Sequence, residues 1–241
     1  MPTVSVARMM EAPTVEVCET KSYDALPLNA SRYFAGITGR RILDVGCGTG
    51  NLGAALQAQG NACYGVTISP DETAAAGRKM TQVVTADIER VASLPFPERF
   101  FDLVIFADVL EHLREPSRAL NVVKPYLAPH ARAIASIPNV ANVAVRLNLL
   151  RGQFDYEDQG IMDNTHVRFY TLHTATALLT ASGYAVQSVR FTNWNWELPR
   201  LIRWLTFGYE WEARERMTRW WPGLFATQFV LYATPSTNEE G

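Results

Sequence analysis

The sequence contains little cysteine and has no excess of charge of either sign. Its three cysteines, Cys18, Cys47 and Cys63, are too few and too scattered for a disulfide framework or a zinc site. We therefore predict no bound metal and a reducing, cytoplasmic setting. The formal net charge of the 241 residues is −2. A domain that binds nucleic acid usually carries a basic patch or stripe, so this charge balance predicts no nucleic-acid partner.

Long apolar runs are absent as well. No run approaches the roughly 20 residues that a membrane-spanning helix needs. The first residues, MPTVSVARMMEAPTVEV, lack the charged-then-apolar pattern of a secretory signal. Nevertheless, 48% of the residues are hydrophobic, which is enough for a large core. We expect a globular protein with a loose arm over residues 1–20 and one domain over residues 21–241.

Strand-like apolar runs alternate with helical patterns along most of the chain. The predicted strands are 41–45, 62–67, 82–86, 101–107, 132–137, 184–192 and 226–234. The predicted helices are 51–59, one that starts at SPDE (69–72), 116–127 and 171–182. This alternation indicates parallel βαβ units and an α/β fold with a doubly wound sheet.

All six tryptophans fall between the last two predicted strands, in residues 193–225. A simple connection would need only a few residues, so we interpret this segment as a helical insertion. Three roles remain open for it: a cap packed on the sheet, a wall of the substrate site, or an element that rests on a membrane surface. The third role is suggested by interleaved arginines at positions 200, 203, 214, 216 and 219.

The stretch GTGNLG, residues 48–53, matches the G-x-G-x-x-G pattern of dinucleotide sites. In such sites the first glycine makes the tight turn directly after the strand. Here that glycine is Gly46, and counting from it places Asn51 where the third glycine should stand. Asp44, two residues earlier, is poorly placed beside a pyrophosphate. A carboxylate there suits a cofactor with positive groups, such as S-adenosylmethionine (SAM).

The segment ILDVGCGTG resembles motif I of the class I SAM-dependent methyltransferases. The segments YGVTIS, TADIE and FDLVIFADVLEHL follow in the family's order. The resemblance implies a Rossmann-like, seven-stranded, mostly parallel sheet whose last strand is antiparallel, with SAM as the cofactor. The positions that it and the residue pattern assign to SAM are Asp44, Gly46, Gly48, Gly50, Thr67, Glu72, Asp87, Ile88 and Asp108.

One of these positions departs from the family pattern. Most members end the second strand with an acidic residue that holds the ribose hydroxyls, whereas this chain has Thr67. A subgroup that resembles cyclopropane-fatty-acid synthases also has threonine there, and a glutamine five residues later takes the ribose. The matching residue here is Glu72. It either holds the ribose or only completes a capping box with Ser69.

The chain has only four histidines, and we predict the residues that act on the acceptor from among them. A hydroxyl acceptor benefits from a base near neutral pH. We select two of the four histidines as catalytic candidates: His112, which follows the fourth strand, and His166, which lies in GIMDNTHVRFY. For His112 the alternative is a packing role at the start of a helix, and for His166 it is a capping or salt-bridge role. His130 is predicted to lie in a surface turn, and His173 to be structural.

The segments 136–156 and 160–170 resemble a bacterial methyltransferase subgroup that is linked to surface-glycan and natural-product pathways. This resemblance implies a small-molecule acceptor, with methyl transfer to a hydroxyl of a sugar or a natural product. Transfer to nitrogen or carbon is one alternative. A SAM-binding regulatory protein without transfer is the other.

Overall fold

Seven strands form one sheet in the computed structural model, which describes residues 33, 34, 36–192 and 216–236. The strands are β1 Arg41–Val45, β2 Ala62–Thr67, β3 Gln82–Thr85, β4 Phe101–Ala107, β5 Leu127–Pro138, β6 Tyr184–Thr192 and β7 Gln228–Pro235. Their order is β3-β2-β1-β4-β5-β7-β6. β7 runs antiparallel to β5 and β6, and the other neighbours are parallel. The predicted Rossmann-like sheet is thereby confirmed.

Helices cover both faces of the sheet. They are α1 Asn51–Ala58, α2 Pro70–Ala76, α3 Pro116–Val123, α4 Val143–Leu150, α5 Leu172–Ala181, α6 at 216–220 and α7 Pro222–Phe225. Short 3-10 turns cover Leu110–His112 and Lys124–Tyr126.

Because side chains alternate along a strand, neighbouring residues of β1 enter different cores. Leu43 packs in a cluster that contains residues of α3 and α5. Ile42 packs in a second cluster with Leu52 and Leu56 of α1. Burial on both faces explains why β1 and β4 are almost wholly apolar.

The helix predicted over 116–127 ends four residues early, at Val123. Pro125 has no backbone N–H to continue the helical hydrogen bonds, and the chain tightens into the 3-10 turn. β5 then begins at Leu127, five residues before its predicted start. His130 therefore lies within a strand and not in a turn. It is exposed, and its φ of 71° marks a local irregularity.

The segment between β5 and α5 contains a helix that the sequence did not predict. Asn142 caps α4 by accepting a hydrogen bond of 2.9 Å from the backbone N–H of Ala144. Thr171 caps α5 and forms a capping box with Thr174.

Most of the predicted tryptophan-rich insertion and the whole N-terminal arm lie outside the described residues. The described part of the insertion contains α6 and α7, and there Trp220 and Trp221 are 82% and 59% exposed. Within the described ranges, no helix has both the length and the apolar character to cross a membrane.

Candidate functional site

The glycine loop follows β1 directly, as predicted. Gly46, Gly48 and Gly50 have φ values of 75°, 50° and 78°, a left-handed conformation that glycine adopts without steric cost. A Cβ atom added at Gly46 would lie 2.5 Å from Cγ2 of Val109, whereas one at Gly48 would meet nothing within 4 Å. The backbone at Gly48 therefore borders open space that a ligand can occupy.

The last glycine of GTGNLG has a packing role. Gly53 lies within α1, and a Cβ atom there would be 2.4 Å from Cε of Met80. The tight turn after the strand is made by Gly46, whose backbone N–H bonds to Val66 O of β2 at 2.8 Å. The register therefore differs from that of a dinucleotide site, as predicted.

Asp44 of β1 places a buried carboxyl group next to this loop. The residue is 2% exposed, and burial raises the pKa of its carboxyl group to about 7. Its side chain has no hydrogen-bond or ion-pair partner in the part of the chain that the structure describes. A buried carboxyl group without a partner fits a ligand that brings a positive charge.

At the carboxyl end of β2, Thr67 contacts Glu72 of α2. The Thr67 hydroxyl donates a hydrogen bond to the Glu72 carboxylate. Ser69 caps α2 as predicted, because its Oγ accepts from the Glu72 backbone N–H at 3.3 Å. The Glu72 side chain does not return to the Ser69 backbone, so the capping box is only half formed. The Glu72 carboxylate instead lies at the carboxyl end of β2.

Asp87 and Ile88 follow β3, and neither side chain is free. Asp87 accepts a hydrogen bond of 3.0 Å from the Glu89 backbone N–H and pairs with Arg90 Nε at 3.2 Å. Ile88 is buried in the core that contains Leu43. These contacts fix the two residues at the rim of the sheet.

Asp108, directly after β4, joins three strands. Its backbone has a φ of 50°, and its carboxylate accepts from Ser136 Oγ of β5 at 2.8 Å and from the Gln228 side chain of β7. Desolvation raises the pKa of Asp108, and both hydrogen bonds oppose the rise. The segment that follows is therefore anchored against the sheet.

The structure brings the two candidate histidines together. The ring centroids of His112 and His166 are 4.8 Å apart. Val167 and Arg168 each donate a backbone hydrogen bond of 3.0 Å to the carbonyl oxygen of Glu111, which fixes the two segments to each other. His130 lies near the start of β5, and His173 is exposed on α5, so neither joins this pair.

Glu111 is a functional candidate that the sequence reasoning missed. It lies beside His112 and is 1% exposed, with its Oε1 4.0 Å from Nε2 of His166. Neither of its carboxylate oxygens has a hydrogen-bond partner among the described residues. Burial, and after it the charge of Asp108, holds the pKa of Glu111 well above its usual range. The sequence signal that could have identified Glu111 is its position directly before the candidate histidine His112.

Residues 21–189 match a family model described as a methyltransferase domain. The ubiquinone biosynthesis O-methyltransferase of Paraburkholderia phymatum is 26% identical over 167 residues, which cover 67% of this chain and 71% of that protein. The norajmaline N-methyltransferase of Rauvolfia serpentina is 29% identical over 98 residues, covering 38% of this chain and 34% of that enzyme. This chain thus spans about a third of the Rauvolfia enzyme's length.

Solved structures share the fold at low sequence identity. A SAM-dependent methyltransferase from Archaeoglobus fulgidus superposes with a TM-score of 0.58 at 20% identity, covering 86% of this chain and 91% of its own. The 1,6-didemethyltoxoflavin-N1-methyltransferase of Burkholderia thailandensis was solved with S-adenosylhomocysteine. It superposes with a TM-score of 0.54 at 16% identity, covering 87% of this chain and 78% of its own.

The family match covers more than half of the chain and includes the glycine loop, Asp44 and the Glu111–His166 segments. The open backbone at Gly48 and the carboxyl group of Asp44 fit SAM, which carries a sulfonium and an amino group. The chain belongs to the methyltransferase-domain family and is an S-adenosylmethionine-dependent methyltransferase.

Proposed function

We propose that this protein methylates a hydroxyl group of a small-molecule acceptor, a sugar or a natural product. The observation that carries the proposal is the pair of imidazoles, His112 and His166, 4.8 Å apart between ring centroids, together with its connection to the glycine loop. Val109 connects the two regions, because it packs against Gly46 and lies two residues before Glu111. A group that removes a proton is useful for a hydroxyl acceptor, whereas a neutral amine does not need one.

The cofactor would be held at the carboxyl ends of the strands, where ligands bind in doubly wound sheets. In this proposal Asp44 binds the amino group, and the backbone at Gly46, Gly48 and Gly50 lets the ligand approach closely. SAM supplies an electrophilic methyl group on its sulfonium sulfur. The loop glycines and Asp44 orient it, and Asp108 fixes the segment that faces it.

In the same proposal, the ribose and the adenine of SAM extend from the glycine loop toward β2 and β3. Glu72 is well placed for the ribose, because its carboxylate lies at the end of β2 beside Thr67 and is not used by the capping box. Asp87 and Ile88 are the proposed neighbours of the adenine. The apolar side of Ile88 suits a flat ring, and Asp87 is held in place by Arg90.

In each of the two histidine rings, one nitrogen has a lone pair that can accept a proton. Nδ1 of His166 lies 3.1 Å from the Ile161 carbonyl oxygen, which can only accept, so Nδ1 carries the hydrogen. Nδ1 of His112 lies 3.2 Å from the Thr165 carbonyl oxygen, and the same reasoning applies. The lone pair is thus on Nε2 in both rings. Burial lowers the pKa of His166, which keeps that ring neutral near pH 7.

An aromatic cluster continues from His166 toward solvent and suits a flat or apolar acceptor. Phe169 lies 6.3 Å from His166 between ring centroids, and Phe154 lies 5.8 Å from Phe169. Phe154 and Tyr156 are exposed although they are large and aromatic. Such rings stack on aromatic acceptors and on the apolar faces of sugars.

Transfer to nitrogen is the second candidate. The Rauvolfia relative and the Burkholderia neighbour are both named N-methyltransferases, whereas the Paraburkholderia relative is named an O-methyltransferase. The histidine pair favours the hydroxyl. A cytoplasmic location stays a prediction from the composition.

The test is a screen of acceptors with SAM labelled in its methyl group, followed by mass spectrometry. We expect a labelled product with phenolic or sugar hydroxyl acceptors, and NMR of that product identifies the methylated atom. His166→Ala should lower turnover about 10²–10⁴-fold while SAM affinity is retained. His173→Ala, an exposed histidine on α5, is the control. A product methylated only on nitrogen, with full activity in His166→Ala, would refute the hydroxyl assignment.

A further inference from the structure

Three potential metal ligands converge after β4. Glu111, His112 and His166 each offer one donor atom, a carboxylate oxygen or a ring nitrogen, and these three atoms lie within 4.8 Å of one another. Glu111 and His166 are buried, whereas His112 is accessible to solvent. The cluster is thus closed on one side and open on the other.

No described residue donates a hydrogen bond to the Glu111 carboxylate, and the buried Tyr170 hydroxyl is also without a hydrogen-bond partner. Both Glu111 carboxylate oxygens are buried and have no hydrogen-bond partner, and Nε2 of His166 lies 4.0 Å from Oε1. The hydrogen on the His166 ring goes to the Ile161 carbonyl oxygen through Nδ1, so its Nε2, 4.0 Å from Glu111 Oε1, presents a lone pair. His112 contributes a ring nitrogen to the same group of three donor atoms. When Glu111 is ionised, its carboxylate and Nε2 of His166 therefore both present lone pairs to the space between them, which favours a positive charge there.

We propose that Glu111, His112 and His166 bind a divalent first-row transition metal ion. Two imidazoles and one carboxylate are ligands that suit zinc, iron, cobalt and nickel, and they leave coordination positions open. Magnesium prefers an all-oxygen set, so it fits this site poorly. The carbonyls of Ile161 and Thr165 act on the second nitrogen of each ring and orient it, as outer partners of metal-bound histidines usually do.

The distances support a site that closes on the ion. Donors bound to zinc at about 2.0–2.2 Å lie roughly 3–3.5 Å apart, so the side chains would move inward by about 1 Å. A proton shared between Glu111 and His166 is the competing explanation. At 4.0 Å, however, Glu111 Oε1 and His166 Nε2 are too far apart for a hydrogen bond. The prediction of no bound metal considered only the cysteines and overlooked this set.

The catalytic part of this inference rests on the proposed function. The ion would bind the acceptor's hydroxyl oxygen at an open position and lower its pKa, and the released proton would pass to water. The oxygen's electron pair then forms the bond to the methyl carbon. The carbon–sulfur bond breaks, and its electron pair remains on sulfur, which yields neutral S-adenosylhomocysteine. In this scheme the histidines assist the hydroxyl acceptor by holding the ion, which replaces the direct removal of the proton by an imidazole in the proposed function.

Binding is tested with Co²⁺, whose visible absorption reports its ligands. The chelator-treated full chain is titrated with Co²⁺ by calorimetry and absorption, and SAM affinity and thermal unfolding are followed in parallel. We expect one Co²⁺ per chain and a loss of affinity of about tenfold or more in Glu111→Gln and His166→Ala. His130→Ala removes an exposed histidine elsewhere and should bind normally. Equal Co²⁺ affinity in Glu111→Gln and His130→Ala would overturn the site.

Turnover separates this inference from the function on which it depends. The acceptor screen is run after chelation, and again with Co²⁺, Zn²⁺ or Mg²⁺ restored. Activity lost with the chelator and recovered with Co²⁺ or Zn²⁺, but weakly with Mg²⁺, supports the catalytic role. Full activity in excess chelator overturns that role and leaves the methyltransferase intact. No product with any acceptor or ion, while Co²⁺ still binds, would refute the proposed hydroxyl methylation alone.

Discussion

At the residue scale, Asp44 combines a cost in stability with a proposed use in binding. Its carboxyl group is buried without a partner, beside Cys47 and Cys63, whose own pKa values burial raises to about 12. The glycine loop opens next to it. An ionised carboxylate there is unfavourable until a cation arrives, so the empty site is less stable than an apolar one would be.

The pH dependence of stability follows from this pKa. The pKa of Asp44 rises from 3.8 to about 7 on folding, so its contribution to stability is fully present below pH 4 and is lost as pH rises through 7. Asp44→Asn removes that loss. We predict that the variant gains stability relative to wild type on going from pH 4 to pH 8, by up to about 4 kcal/mol. Urea unfolding at the two pH values measures the gain.

The same variant should bind SAM poorly, because an amide does not attract the amino group as a carboxylate does. In wild type, SAM affinity should fall as pH drops below 7 and Asp44 becomes protonated. If Asp44→Asn has the wild-type pH profile of stability and also binds SAM normally, Asp44 is neither strained nor part of the cofactor site.

At the scale of elements, the turn from β2 into α2 decides how Glu72 is used. Glu72→Ala should weaken SAM binding by about 1.5–3 kcal/mol if its carboxylate holds the ribose, the range for hydrogen bonds to a charged group. Glu72→Gln should weaken it less, because the amide oxygen still accepts. Calorimetry with SAM gives both values.

Ser69→Ala is the matched control for this turn. It removes the N-cap of α2 but leaves the Glu72 carboxylate, so it should cost about 1 kcal/mol of stability and retain SAM affinity. The ribose role fails if Glu72→Ala behaves as Ser69→Ala does, with a lower melting temperature and an unchanged dissociation constant.

Elements were predictable from the sequence where local patterns determine them. The bounds of β1, β2 and β4 match the prediction because each is a short, mostly apolar run with clear ends. β5 starts earlier than predicted because Pro129 and His130 resemble a turn locally. Tertiary context overrides that signal, since β4 pairs with this stretch through a shift in register between Phe101 and Leu103.

α4 was missed for a related reason. Its sequence, VAVRLNLL, has several apolar residues that point to solvent, such as Leu150 at 83% exposure. A helix without a clear buried face gives a weak periodic signal.

At the scale of the whole molecule, the glycine loop and its neighbour Asp44 were more predictable than the contacts of the candidate histidines. The glycine loop is contiguous in sequence, so its register and its neighbour Asp44 could be read directly. Glu111 and His166 lie in segments that are distant in sequence, and backbone hydrogen bonds from Val167 and Arg168 to Glu111 join those segments. No local pattern encodes that contact. The cluster of three potential metal ligands therefore appears only in the folded chain.

The most direct test of the account is SAM binding by a chain with a side chain at Gly48. Gly48→Val places atoms in the open space beside the loop, and we expect SAM binding to be abolished in calorimetry while the protein stays folded. Gly60 has a φ of 88°, also borders open space and precedes β2 at the opposite edge. Gly60→Val should therefore incur a similar backbone strain of about 1–2 kcal/mol and bind SAM normally. Wild-type SAM affinity in folded Gly48→Val would contradict the account.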